Sequence, residues 1–121
     1  MNLRKIGLGL IFVLSTNMFG YDCEVESNKI MDMYNAKKYK EISDTRLDDN
    51  FAWNCKTDYN MLIMLGTMHF HKTKDNFKAG SFFEQAMKAN PKLTRAYLNL
   101  AAVKIKDKDF DDAVELCEKQ L

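Results

Sequence analysis

Three cysteines are the residues of this chain most able to do covalent chemistry: Cys23, Cys55 and Cys117. In an oxidising compartment a disulfide forms readily, and we favour Cys23–Cys55, which would tie the start of the mature chain to the entry of the next helix. Closing a loop of about 30 residues stabilises a fold by about 3–4 kcal/mol on the chain-entropy model. Cys117 is left over, either as a small buried apolar residue, which we favour, or as a thiol for an intermolecular bond.

The two histidines do not have the spacing of a metal site on a helix. His69 and His71 are two residues apart and point to different sides of a helix, whereas a helical metal pair is three or four residues apart. No Cys-x-x-Cys motif occurs. We therefore expect both histidines to be ordinary surface or boundary residues, and we expect no metal and no cofactor.

The carboxylate pairs do not have the character of an acid–base site either. A catalytic pair faces across a cleft with divergent pKa values, whereas the adjacent aspartates 48–49 and 111–112 favour solvation and helix capping. The sequence has no Gly-rich phosphate loop and no serine in a nucleophile motif. We expect no catalytic residues; a small exported thiol or redox protein that uses Cys23 or Cys117 is the enzymatic alternative.

Residues 1–20 have the order of a secretory signal peptide. Arg4 and Lys5 precede an apolar run, residues 6–14, and residues 15–20 are more polar and contain small residues. The run is too short to span a bilayer, which needs about 20 apolar residues. We expect cleavage after Gly20 and an exported protein, periplasmic or extracellular or in the cell envelope, with an uncleaved anchor as the alternative.

The mature chain is nearly neutral. The full sequence carries 18 basic and 17 acidic residues, and cleavage would remove Arg4 and Lys5. A chain with such mixed charge has neither the basic footprint of a nucleic-acid-binding protein nor the basic face of a membrane-surface helix. We expect no nucleic acid as partner and no membrane insertion after signal cleavage.

The elements that carry these residues are predicted to be helices. Beyond residue 20 only Gly66, Gly80 and Pro91 punctuate the chain, and apolar residues recur at steps of three and four. Residues 43–57 are the least regular, either a poorly formed helix around 47–53 or a loop pinned by the second cysteine. In that segment Phe51 and Trp53 are predicted to be core residues rather than an exposed anchor. At helical spacing, three methionines are predicted to be core rather than an adaptable groove: Met61, Met64 and Met68.

A pattern of small and large residues recurs after about 34 positions, as in stacked helix–turn–helix units. Leu65-Gly66 returns as Leu100-Ala101, and Ala79 returns as Ala113. The run 95–121 resembles a tetratricopeptide repeat (TPR), with these family positions matched: Tyr97, Leu100, Ala101, Phe110 and Ala113. The run 59–92 resembles the preceding repeat, with these matches: Leu62, Leu65, Gly66, Ala79, Phe83, Ala86 and Pro91. The first copy is longer by one residue, which must lie around 70–76.

The resemblance implies an all-α fold of antiparallel helix pairs stacked as a short right-handed α-solenoid. Residues 58–121 would form two TPR-like repeats, and residues 21–57 an N-terminal helical cap or a degenerate repeat. In this family the first helix of each pair lines a groove that binds a protein or peptide. Carried over, the groove residues are Asn60, Ile63, Met64, Thr67, Arg95, Leu98, Asn99 and Ala102.

The resulting interpretation is a non-enzymatic, exported scaffold that recognises a protein or peptide partner in the periplasm or cell envelope. Arg95 and Asn99 lie one helical turn apart and are suited to hold a peptide backbone or carboxylate. The alternative is a structural or assembly subunit that self-associates through the open face of its C-terminal helix, around Val114, Cys117 and Leu121.

Overall fold

A computed structural model describes residues 20–120, and in this range the chain is all-α, with no strand. The prediction of an all-α fold is confirmed. The signal-peptide prediction falls, apart from Gly20, outside the described residues. The helices are α1 Cys23–Asn35, α2 Tyr39–Asp44, α3 Leu47–Asn54, α4 Tyr59–Met68, α5 Asn76–Ala89, α6 Arg95–Lys106 and α7 Phe110–Glu118.

Aspartates begin four of these helices. In each case the carboxylate at the N-cap accepts a hydrogen bond from the backbone N–H three residues later, which satisfies a donor that has no partner within the helix. The N-cap residues of α1, α4, α5 and α7 are Asp22, Asp58, Asp75 and Asp109. Local sequence therefore determines where these helices start.

The extra residue of the first repeat copy lies in a π-helical turn. Helix α4 continues directly into this turn, His69–Thr73, which holds more residues per turn than an α-helix. After it, Lys74 has a left-handed backbone with φ 60°, as Lys108 does with φ 63°. Each of these lysines precedes an N-cap aspartate. From Lys74 onwards, corresponding residues of the two repeat copies are therefore 34 positions apart.

Small residues let the helices after Tyr59 approach one another closely. Consecutive helices from α4 to α7 pack together, and α4 also contacts α6. Gly66 of α4 lies against the buried ring of Phe83, so close that a Cβ would be 2.5 Å from a ring carbon. Gly80 of α5 lies less tightly on α6, because a Cβ there would be 3.6 Å from Leu100 Cδ1.

The N-terminal helices α1, α2 and α3 pack on one another and are joined by a disulfide. The predicted pairing Cys23–Cys55 is confirmed, and it links the first residue of α1 to the residue after α3. Within the irregular segment, the helix alternative is confirmed by α3, and Phe51 is fully buried in the core. Arg46, with φ 59°, separates α2 from α3.

Two of the core predictions are wrong. Trp53 is 73% exposed, because it lies two residues after Phe51 on α3 and therefore on nearly the opposite face of the helix. Cys117 is exposed, because α7 turns Ala113 and Leu116 towards the core and no later helix in residues 20–120 covers its other side. The methionine prediction is confirmed for Met61 and Met68, which are buried, whereas Met64 is half-buried and packs against the core with part of its side chain accessible.

Candidate functional site

A buried polar cluster lies where the N-terminal helices meet the rest of the fold. Asp48 on α3 and His69 in the π-helical turn are both fully buried, and His69 Nε2 lies 2.7 Å from Asp48 Oδ2. Because a carboxylate only accepts, Nε2 carries the proton of this bond. His69 Nδ1 lies 2.7 Å from Thr73 Oγ1, one helical turn further along. The predictions that His69 is a surface residue and Asp48 a solvated one are therefore wrong.

Further donors surround the Asp48 carboxylate. Its Oδ1 accepts from the Asp49 N–H at 2.8 Å, and Oδ2 accepts from Lys78 Nζ at 3.3 Å. Lys78 Nζ also donates to Ser43 Oγ at 3.0 Å. Burial raises the pKa of Asp48, but the hydrogen bonds from His69 and Asp49 and the charge of Lys78 outweigh it and hold this pKa below its ordinary value.

The cluster has the order of a nucleophile relay, with a carboxylate, an imidazole and a hydroxyl in a chain. Acyl transfer would also need free N–H groups beside Thr73 to stabilise an oxyanion. The nearby N–H groups of Lys74 and Asp75 both donate to the His69 carbonyl instead. The His69 ring is stacked on Phe82 and closed to solvent. The cluster is therefore suited to join α3, the π-helical turn and α5.

Sequence reasoning missed this cluster because its members are far apart along the chain. Asp48 and His69 are separated by 21 residues, and neither lies in a motif. The one available signal was the extra residue predicted around 70–76, since π-helical turns often occur at functional or otherwise specialised positions.

The structure places the predicted groove residues on neighbouring helices, α4 and α6, with unequal access to solvent. Asn60, Arg95 and Leu98 are exposed; Met64, Thr67, Asn99 and Ala102 are half-buried. Ile63 is only 5% exposed and belongs to the core, which corrects its assignment to the groove. The Thr67 hydroxyl donates to the Ile63 carbonyl of its own helix at 2.8 Å. Within residues 20–120 the side chains of Arg95 and Asn99 make no hydrogen bond or ion pair, so both are free to bind.

A second exposed feature is a cleft of about 570 Å³ between the ends of α3 and α5. Trp53 lines it together with Lys56, Gln85 and Lys88. Lys56 Nζ lies 4.4 Å from the centre of the Trp53 ring, in cation–π contact. The cleft thus combines a large exposed aromatic surface with positive charge.

The outer side of α7 is a third exposed surface. Phe110 and Val114 are 57% and 56% exposed, and the free thiol of Cys117 lies on the next turn. Gly80 occupies the place in the first repeat copy that Val114 occupies in the second, and Gly80 is half-buried against α6. By this correspondence, the side of α7 that carries Val114 is the side on which a further helix would pack.

Comparison of the chain with known proteins finds no family model that matches it and no curated protein that is similar to it. Within residues 20–120, no group of three or more histidine, cysteine, aspartate or glutamate side chains is placed to hold a metal ion. In the same range no helix is both long enough and apolar enough to cross a membrane. A disulfide is consistent with an oxidising compartment.

Proposed function

We propose that this chain is an exported scaffold of TPR-like helix pairs that binds a protein or peptide partner in the periplasm or cell envelope. Two repeats, residues 58–121, stack as a short right-handed α-solenoid on the N-terminal helices, residues 21–57. Recognition takes place without chemistry, through shape, apolar contact and a few polar anchors. The Cys23–Cys55 disulfide supports export, because such bonds persist in oxidising compartments.

The observation that carries the proposal is a matched pair of accessible rows on α4 and α6. Asn60, Met64 and Thr67 on the first helix correspond to Arg95, Asn99 and Ala102 on the second, each 35 residues later. All six side chains are at least partly accessible, and α4 contacts α6. We propose that these two rows together form the surface that binds a short extended peptide.

Arg95 and Asn99 are the polar anchors of this surface. An arginine guanidinium binds a carboxylate through two parallel hydrogen bonds, and an asparagine amide both donates to and accepts from a peptide backbone. Leu98, which is 51% exposed, adds apolar contact beside them. The expected ligand is therefore a peptide segment with a carboxylate near an apolar side chain.

Crosslinked capture from the envelope fraction of the source cells tests the proposal. Arg95→Ala and Asn99→Ala should each reduce capture of the same partner without lowering the melting temperature, because neither side chain supports the core. Lys29→Ala and Asn50→Ala remove an exposed cation and an exposed amide from α1 and α3, and should leave capture unchanged. Undiminished capture by both groove variants would reject this surface.

Export has its own test. Peptide mass spectrometry of the protein isolated from the cell envelope should find an N-terminus at Tyr21, and a non-reduced digest should contain the Cys23 and Cys55 peptides joined, with two hydrogens fewer than their sum. A cytosolic protein that still carries residues 1–20 would contradict both export and signal cleavage.

The exposed side of α7 favours a second function, that of an assembly subunit. Phe110 and Val114 expose apolar surface that another copy or another subunit would cover. In sedimentation experiments the mature chain should then associate with rising concentration, and Val114→Glu should prevent it. A monomer at high concentration would reject self-assembly.

Thiol chemistry would have to use Cys117, since Cys23 is held in the disulfide.

A further inference from the structure

We propose that the cleft around Trp53 is a second binding site, and that its occupant is a peptide segment of a partner protein in which an apolar side chain lies next to a carboxylate. The cleft lies between α3 and α5 and is separate from the surface formed by α4 and α6. The proposal therefore does not depend on the groove.

The exposure of Trp53 is the first reason. The two residues that precede it on α3, Phe51 and Ala52, are 0% and 3% exposed, whereas the Trp53 side chain is left 73% exposed. Tryptophan contributes more than most residues to protein interfaces, because a large rigid ring is desolvated at little entropic cost. Ala52 and Ala89 line the cleft beside the ring, so apolar surface continues around it.

Charge is the second reason. Lys56 and Lys88 line the cleft, are exposed, and form no ion pair within residues 20–120. Asp49, the acidic residue of the cleft, is engaged elsewhere: its Oδ2 lies 3.5 Å from Lys78 Nζ and 3.8 Å from Arg46 Nε. The cleft therefore has a net positive charge beside an apolar ring, and a carboxylate complements it.

A backbone contact is also available. The Gln85 amide nitrogen donates to Ser81 on its own helix, at 3.4 Å to both the carbonyl and the hydroxyl oxygen. Its carbonyl oxygen remains to accept a hydrogen bond from a ligand N–H. These groups together match a peptide. An apolar side chain would pack on the Trp53 ring, a carboxylate would pair with the two lysines, and a backbone N–H would donate to the Gln85 carbonyl oxygen.

The size and charge of the cleft favour this occupant over others. A volume of about 570 Å³ lies within the usual range of sites for small ligands, so a few residues fit. A nucleic acid needs a longer track of cations than two lysines. A simple inorganic anion would not use the ring, and a purely apolar ligand would leave the lysines without a counterion.

Trp53 makes the test direct, because it is the only tryptophan in the chain. The mature protein is titrated with a blocked tetrapeptide that alternates phenylalanine and leucine with glutamate, and Trp53 fluorescence is followed together with calorimetric heat. We expect saturable binding that weakens as salt rises. The matched peptide with glutamine in place of glutamate should bind at least about tenfold more weakly.

Variants locate the binding on the protein. The surface on α4 and α6 is expected to bind a peptide of the same kind, so these titrations use protein that also carries Arg95→Ala and Asn99→Ala. In that background Lys56→Ala/Lys88→Ala should lose about tenfold in affinity for the acidic peptide, and Trp53→Ala should lose calorimetric binding while keeping its helical circular dichroism. Lys29→Ala, which removes a cation from α1, should bind as the unchanged protein does. The proposal is overturned by equal binding of the two peptides or by no saturable binding of either. It is also overturned if Trp53 fluorescence changes with protein concentration alone, which would mean that a second copy covers the ring.

Discussion

Replacing glycine by alanine should have opposite effects on stability at Gly66 and at Gly80. A Cβ at Gly66 would lie 2.5, 2.7 and 2.9 Å from three ring carbons of Phe83. Phe83 is only 1% exposed, so its ring could move aside only by displacing other core atoms. At Gly80 the nearest atoms would be Leu100 Cδ1 at 3.6 Å and Val103 Cγ1 at 3.8 Å, which are ordinary van der Waals contacts.

Two terms determine the magnitudes. Replacing glycine by alanine within a helix stabilises it by about 0.5–1 kcal/mol, and this gain applies at both positions. Overpacking a close-packed core costs about 1–3 kcal/mol, and this cost applies only at Gly66. Because the clash there is with the body of a buried ring, we expect the upper part of that range. Gly66→Ala should therefore lower the free energy of unfolding by about 1–2 kcal/mol, and Gly80→Ala should raise it by up to about 1 kcal/mol.

Urea unfolding of the two variants, followed by circular dichroism, measures both effects against the unchanged protein. Thermal unfolding gives a second measure. In a domain of this size a change of 1 kcal/mol in the free energy of unfolding moves the melting temperature by about 4–8 °C, so the two variants should differ clearly. If both variants are more stable, or if Gly66→Ala unfolds at the same urea concentration as the unchanged protein, the close approach of α4 and α5 at Phe83 is refuted.

Three further predictions concern the polar cluster and the disulfide. Asp48→Ala leaves the buried His69 donor without its partner and should cost about 1–3 kcal/mol, whereas Asp49→Ala removes partly exposed ion pairs and should cost less than about 1 kcal/mol. Equal costs in urea unfolding would contradict the cluster. The pKa of Asp48 is lower in the folded chain than in the unfolded one. The contribution of the ionised carboxylate to the free energy of unfolding is therefore complete above about pH 4 and is lost as the pH falls further. Melting temperatures from pH 7 to pH 3 should show this loss, and a flat profile would argue against it. Replacing Cys23 and Cys55 by serine opens a separation of 32 residues and should cost about 3–4 kcal/mol, with Cys117→Ser as a neutral control.

Features that depend on neighbouring residues were predictable from the sequence. Aspartates at helix starts, apolar residues at helical spacing and the scarcity of glycine and proline determine the helices. The extra residue near the end of α4 followed from the offset between the repeat copies. The pairing of Cys23 with Cys55 agreed with the redox argument and was confirmed by the structure. For the helices and the extra residue the signal lies within one or two helical turns, or in a comparison between two similar stretches. The cysteine pairing, with a separation of 32 residues, was argued from the oxidising compartment instead.

Features that depend on which helix covers which were not predictable. Asp48 and His69 resemble surface residues until α3 and the π-helical turn bring them together. Trp53 and Cys117 are apolar residues whose burial depends on a neighbouring helix that the described part of the chain does not provide. Ile63 shows the opposite case, since a family-derived groove position is covered by the packing of this chain.

The π-helical turn also shows how the chain accommodates the difference in length between its two similar stretches. The inserted residue is absorbed between His69 and Thr73, before the left-handed Lys74. From Lys74 onwards the spacing to the second unit is regular, so the surface that α5 offers to α6 is in its usual phase. A change of length at this helix end is thus not transmitted to the next unit. The packing of α5 on α6 is therefore compatible with one residue more at the end of α4.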